Sequence, residues 1–463
     1  MEVWVLSLGC DLVVRHDLTT AVTKKPALHC ARSLLAGLLA GCGFLVSCGG
    51  SDASNARSDP FVVAADVVLV QAPRVVEARG DTWLAWAEQG ASAPRAVAAR
   101  VGASGRTHLT VLTAAATGPV QLATTSRGTP MAIWHEEAPS GRSRMVVARW
   151  GGLEWVREQA IEDSIYEEQL IVGSAGQVAL AWNEFTGAAG SRFRVAIRAA
   201  SGSWGAPRDV RVIGGTLPGR ARLAFNEAGD LFAAWLEYVN NGASTSDPDF
   251  ALWHSILTPG GAWSSPGRIE PEKVRDMRVA TISARSWLVA WSAGGSLEPG
   301  GLYSKRLIDG VWDGVGRRID LNGTEEPRSL DLQSSNGVVQ AAWRAQASST
   351  GPYEVRVARM DLADGRWPES TLLFESPVVQ PAELRLVQQA DGRAALIWNY
   401  FTGDHVPWVA VSPIAGLWQS ANHLDDEAFD AQGADLATSQ SGWAAAWYRR
   451  RGAVFDIVMR HLF

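Results

Sequence analysis

Four carboxylates recur in this chain at matched positions: Glu88, Glu136, Glu184 and Glu237 each stand two residues after a tryptophan. The same position later in the chain holds Ala293, Ala345, Tyr400 and Arg449. If a repeated element brings these positions to one rim, half of that rim is acidic and attracts a cationic group. The same side chains also have a structural use. Arginines recur at a second set of matched positions, Arg100, Arg149, Arg198, Arg306, Arg359 and Arg460. Glu-Arg pairs across neighbouring strands would absorb the first three glutamates.

Other chemistry is sparse. The chain has no His-Glu-x-x-His, no cysteine-based metal spacing, no phosphate-cradling glycine loop and no Gly-x-Ser-x-Gly elbow. No metal, no cofactor and no catalytic residue is therefore expected. His135 and His405 fall on expected loops, where a lone histidine is solvated. Net charge is -6 and the basic residues are spread along the chain, so nucleic acid is not an expected partner.

The elements that position these residues are marked by tryptophan. Trp86, Trp134, Trp182, Trp235, Trp291, Trp343, Trp398 and Trp447 are separated by 48 to 56 residues. A period in this range signals stacked or radially repeated supersecondary units. Six residues before the tryptophan stands a glycine in most copies (Gly80, Gly128, Gly176, Gly229, Gly337, Gly392), where a tight turn needs positive φ. Immediately before it come Ala85, Ile133, Ala181, Ala234, Ala290, Ala342, Ile397 and Ala446. Apolar residues at consecutive positions mean that both faces of the strand are buried.

The third copy displays the whole unit: strands at Leu170–Val172, Val178–Trp182 and Arg192–Arg198, and a fourth after Pro207, with turn residues at each joint. A second tryptophan (Trp155, Trp204, Trp263, Trp312, Trp367, Trp418) marks the turn into the outermost strand, and the first and last copies lack it. The expected fold is all-β: an eight-bladed β-propeller of four-stranded antiparallel blades spanning residues 61–463, its core the eight tryptophans. Only one strand, Val454 to Leu462, follows Trp447, so Phe61 to Val70 is expected to complete the last blade and close the ring. The longest loops, Tyr238 to Phe250 and Ala345 to Tyr353, share one face and are candidate carriers of recognition.

All four cysteines lie within residues 10–48, so no disulfide framework is available to the repeats. Lys24, Lys25 and Arg32 precede the apolar run Leu34 to Phe44, which has signal-peptide length. It ends in Leu45-Val46-Ser47-Cys48, which resembles the bacterial lipobox. That resemblance implies a signal peptide over 1–47, lipid attachment at Cys48 and a tether over 48–60, with the membrane engaged through the lipid alone. It also implies an outer-membrane site if the source has two membranes.

The repeats resemble those of bacterial tryptophan-rich β-propeller lipoproteins and, more remotely, sialidase-type propellers, through Gly-x-x-x-Ala-x-Trp followed by Gly-x-Trp. The sialidase Asp box is not reproduced, Asp364-Gly365-Arg366-Trp367 being the nearest approach. Nor do the arginine triad and Tyr/Glu pair of such enzymes assemble from the sequence. The resemblance implies a monomeric envelope module that binds or assembles protein or glycan partners. The alternative is a glycoside-active hydrolase or lyase with acidic residues at the central mouth.

Overall fold

The computed structural model describes residues 59–462, apart from 163–164, 188–189, 214–219, 240–249, 271–272, 295–299, 321–324, 347, 349, 402–404 and 427–428. Cys48 with its leader, and most of the long loop after Tyr238, lie outside the described residues. The rest is an eight-bladed β-propeller in which each sheet is an antiparallel meander running outward from the axis. Blade 3 is typical: Ile165–Val172 innermost, then Val178–Phe185, Ser191–Arg198 and Arg208–Ile213. Blade 5 splits its outermost strand into Val311–Trp312 and Arg317–Arg318.

The Ala-Trp pair explains why the blades stack. Successive strand residues point to opposite faces, so the tryptophan of each blade turns back onto the preceding blade. The residue before it receives the tryptophan of the next. Trp134 thus packs with Ala85, Trp235 with Ala181, Trp291 with Ala234 and Trp343 with Ala290. The core is accordingly eight seams, each shared by two neighbours, and all eight tryptophans are no more than 1% exposed. Each indole buries on the order of 200 Å², about 5 kcal/mol of apolar transfer.

The second tryptophan is mortar between blades. Trp204 Nε1 donates to Glu158 of blade 2 at 3.1 Å, and Trp367 Nε1 donates to Ser304 Oγ of blade 5 at 2.8 Å.

Ring closure uses a shorter strand than expected. Phe61–Val67 pairs with the C-terminal strand Val454–Leu462, with Phe61 opposite Met459. Asp66, at φ 58, bends the chain near the end of this strand, and Leu69–Ala78 opens blade 1. Trp86 seals the last seam against Ala446, Ile457, Met459 and Val63.

The meander sorts the connections to two ends. Turns joining first to second and third to fourth strands lie at one end, called the turn end. Loops joining second to third strands, and one blade to the next, lie at the other, the loop end. The six expected turn glycines have φ between 70° and 89°.

Candidate functional site

The innermost strands have nothing but the axis on one side, so their side chains decide what the channel offers. At one level, paired with the residue just before each core tryptophan, stand Arg74, Gln121, Gln169, Arg222, Arg278, Asp331, Arg385 and Asp435. No apolar residue occurs in this ring. It links neighbours as a belt: Asp435 accepts from the Val75 N–H at 3.0 Å, and Asp331 from the Leu386 N–H at 2.8 Å. Arg385 lies 3.5 Å from Asp435, and Arg278 lies 3.7 Å from Asp331. Arg385 is 48% accessible, so it keeps contact with solvent inside the ring. Burial would lower its guanidinium pKa, but Asp435 and Asp331 outweigh burial and raise it.

One sector is crowded with arginines. Asp276 receives both Arg220 at 3.1 Å and Arg278 at 2.8 Å. Arg222, between them in sequence and strand order, bonds the Ala221 carbonyl at 2.7 Å, and no described carboxylate reaches ion-pairing distance of it. Burial first, and then repulsion from Arg278, push its guanidinium down to about 10. Beside it, burial raises the Glu167 carboxyl, with Glu168 and Asp276 adding to the effect and Arg222 and Arg220 opposing it. The structure therefore gathers three arginines that the sequence left scattered over blades 4 and 5.

The four sequence-predicted glutamates are not gathered. Each lies on a different seam, on the same strand face as its tryptophan. Trp86, Trp134 and Trp235 donate their indole N–H to Glu88, Glu136 and Glu237 at 2.6, 2.9 and 2.8 Å. Arginines neutralise them: Arg95 on Glu88, Arg144 and Arg157 on Glu136, Arg194 on Glu184, Arg211 on Glu237. Burial opposes ionisation of Glu136, yet these hydrogen bonds hold it down at about 2.

These are not the arginines expected as partners. An antiparallel hairpin sets the tail of the second strand against the head of the third, so Glu88 faces Arg95. Arg100 instead pairs with Asp81, and both Arg149 and Arg198 pair with Glu158.

The histidines also differ from expectation. His135 is on the second strand of blade 2, 7% exposed, with Nε2 3.4 Å from Glu168. His405 begins a strand and lies 3.1 Å from Asp430. Tyr448 is pushed up to about 12 by burial, with Glu383 and Asp430 adding to it, so its phenol stays protonated at neutral pH.

Blades 3 and 7 share a feature missed in the sequence. Each reads Trp-Asn-x-Phe-Thr-Gly from its core tryptophan, at residues 182–187 and 398–403, and no other blade does. In both, the inner strand bulges opposite the tryptophan, two residues against one. The bulge holds Glu167 and Glu383 in the left-handed region, each at φ 54, at a cost on the order of 1 kcal/mol for a non-glycine residue. Asn183 donates to Glu167 at 3.5 Å, and Asn399 donates to Glu383. The two asparagines are 1% and 5% exposed, and the Oδ1 of each has no partner. Two residues on, Phe185 and Phe401 are 50% and 47% exposed.

The turn end is different. A bowl of about 420 Å³ is lined by the first turns of blades 2 to 6 and the strand ends beside them, among them Thr124, Ser174, Asn226, Ser283 and Ser335, with Glu227 the one charged residue in its wall.

No protein-family model matches the chain, and no curated protein matches it. Solved structures resemble it in fold, and sialidase- and arabinanase-type propellers are among them. A lectin from Burkholderia pseudomallei is 14% identical over 79% of this chain and 100% of its own, with a TM-score of 0.48. A polysaccharide lyase is 9% identical over 84% and 89%, with a TM-score of 0.46. A Hadza microbial sialidase is 13% identical over 73% and 74%, with a TM-score of 0.38. At these identities the likeness is one of fold.

Proposed function

We propose that this propeller is a glycan-binding module of a bacterial envelope, held to the membrane by lipid on Cys48, and that it takes an acidic sugar at the loop end of its channel. The fold and its polar channel fit a glycan-binding or glycoside-active role. Arg222 carries the choice of an acidic ligand: its guanidinium is largely buried, crowded by two other arginines, and within ion-pairing distance of no described carboxylate, Asp276 and Glu167 acting on it only from farther off. A planar guanidinium binds a carboxylate with two parallel hydrogen bonds. A ligand carboxylate there supplies that ion pair, and an extended sugar chain is slender enough to reach it.

The test is calorimetric titration with an oligogalacturonate and with its methyl-esterified, neutral form. The acidic oligomer should bind, more weakly at higher salt, and Arg222→Gln should lower affinity about tenfold. Equal affinity of the variant and the parent overturns the reading. For the anchor, Cys48→Ala should release the protein from the membrane fraction, and a variant that remains there removes that part.

A second reading is favoured by Glu167. A carboxyl raised by burial beside Asp276, which two arginines pair, is the arrangement of a proton donor next to a charged carboxylate. A glycoside-cleaving reaction would use it in that role. New reducing ends formed by the parent and not by Glu167→Gln would establish it, and their absence with the parent excludes it for that oligomer.

A further inference from the structure

We infer that blades 3 and 7 carry two matched subsites for hydroxylated rings, of the kind a neutral pyranose presents, facing each other across the loop end of the channel. This rests on the glycan-binding reading and adds a second ligand chemistry to it. Four blades separate the two in a ring of eight, which places them on opposite sides.

Each subsite combines three elements. The first is the exposed carboxylate of a left-handed bulge residue on the innermost strand, Glu167 or Glu383. The second is the buried asparagine that donates to that carboxylate and keeps an unpartnered Oδ1. The asparagine is closed to a ligand and acts from behind, holding the carboxylate in place through its Nδ2–H. The third is an exposed phenylalanine. Residues two apart on a strand point the same way, so Phe185 lies on the same blade face as Asn183, and Phe401 on that of Asn399, roughly 7 Å along. The two carboxylate oxygens accept from adjacent hydroxyls, while the ring covers an apolar C–H face.

The bulge by itself does not require this set. Blade 6 has Ser329 at the bulge and Arg344 after its tryptophan, and blade 8 has Gly433 and Tyr448. A duplicated four-blade half would also make blade 1 resemble blade 5 and blade 2 resemble blade 6. Their residues after the tryptophan, Ala87-Glu88 against Ser292-Ala293 and His135-Glu136 against Arg344-Ala345, do not match.

The experiment titrates the full chain with cellohexaose, maltohexaose and mannohexaose, reading stoichiometry as well as affinity. Phe185→Ala and Phe401→Ala alter exposed side chains and should fold normally. Each single variant should lower the number of sites from two to one, the double variant should lower affinity at least tenfold, and Phe→Trp at both positions should retain binding. No neutral oligosaccharide bound, a single site in the parent, or unchanged binding by the double variant each overturns the inference. Arg222→Gln separates the two proposals. Loss of oligogalacturonate alone leaves these subsites standing, whereas loss of neutral-sugar stoichiometry alone in the phenylalanine variants leaves the acidic site standing.

Discussion

At the loop end of the channel, Arg220, Arg222, Arg278, Asp276 and Glu167 crowd into one sector, and Arg222 has no ion pair among the described residues. At the turn end, the same blades offer serine, threonine and asparagine around an open bowl, with a single carboxylate. One set of hairpins makes both ends. The difference arises because the turns do the same job in every copy: they reverse the chain, and residues that favour turns suffice. The loop end carries no such uniform demand, so copies diverge there and charge accumulates unevenly. In a repeat protein, the end that must be uniform for folding is the poorer place to build specificity.

The largest effect tests whether the two ends are one body. Trp182 fills the seam between blades 2 and 3, against Ile133, Val147 and Met131. Its replacement by alanine should cost about 3–5 kcal/mol of stability, seen as a lower denaturant midpoint. The fraction still folded should bind acidic and neutral oligomers as the parent does. Altered binding by that folded fraction would mean that the seams set the geometry of the loop end as well as hold it together.

That seam was legible in the sequence, and the charged ring was not, for a physical reason. The tryptophan ladder counts from fixed neighbours, alanine before and glycine six back, so the copies align by eye. The ring residue stands six positions before the turn glycine in blades 1 and 6 (Arg74, Asp331) but seven in others, such as Gln169, Arg222 and Arg385. Blades 1 and 6 turn on two residues, Arg79-Gly80 and Asn336-Gly337, all at positive φ, which is the pairing of a type I′ hairpin. The longer turns of blades 2, 3, 4 and 7 shift the count by one, and a one-residue shift moves a side chain to the other face. The four glutamates were legible as a pattern, but which arginine each one meets depends on hairpin register. The shared Trp-Asn-x-Phe-Thr-Gly of blades 3 and 7 was the one available signal for the subsites.

A smaller effect sharpens the charged end. Below its raised pKa, Glu167 is neutral and leaves Arg222 to the ligand; above it, the ionised carboxylate competes for the same guanidinium. A uronate keeps its charge above roughly pH 4.5, since such carboxyls titrate near 3.5. Affinity for the acidic oligomer should therefore fall, by a few-fold, as pH rises from that limit and Glu167 ionises, the sign set by a carboxyl whose charge appears as pH rises. Glu167→Gln should flatten this profile while preserving shape. A variant that keeps the full slope would move the competition to another group, with Glu168 the neighbour to examine next.

The smallest expected effect concerns the turn end. Ser283 and Ser335 border the bowl on blades 5 and 6, at the ends of inner strands rather than inside the turns. Replacing both by alanine should change stability by less than about 0.5 kcal/mol, as for other surface positions. Affinity for the acidic and neutral oligomers should stay within about twofold, because a ligand held at the loop end does not reach these hydroxyls. A larger loss, confined to oligomers above a threshold length, would show that the chain threads the channel from one mouth to the other. The contrast between the ends would then describe two stations along one path: a charged station that selects the ligand and a hydroxyl-lined one that lets it slide.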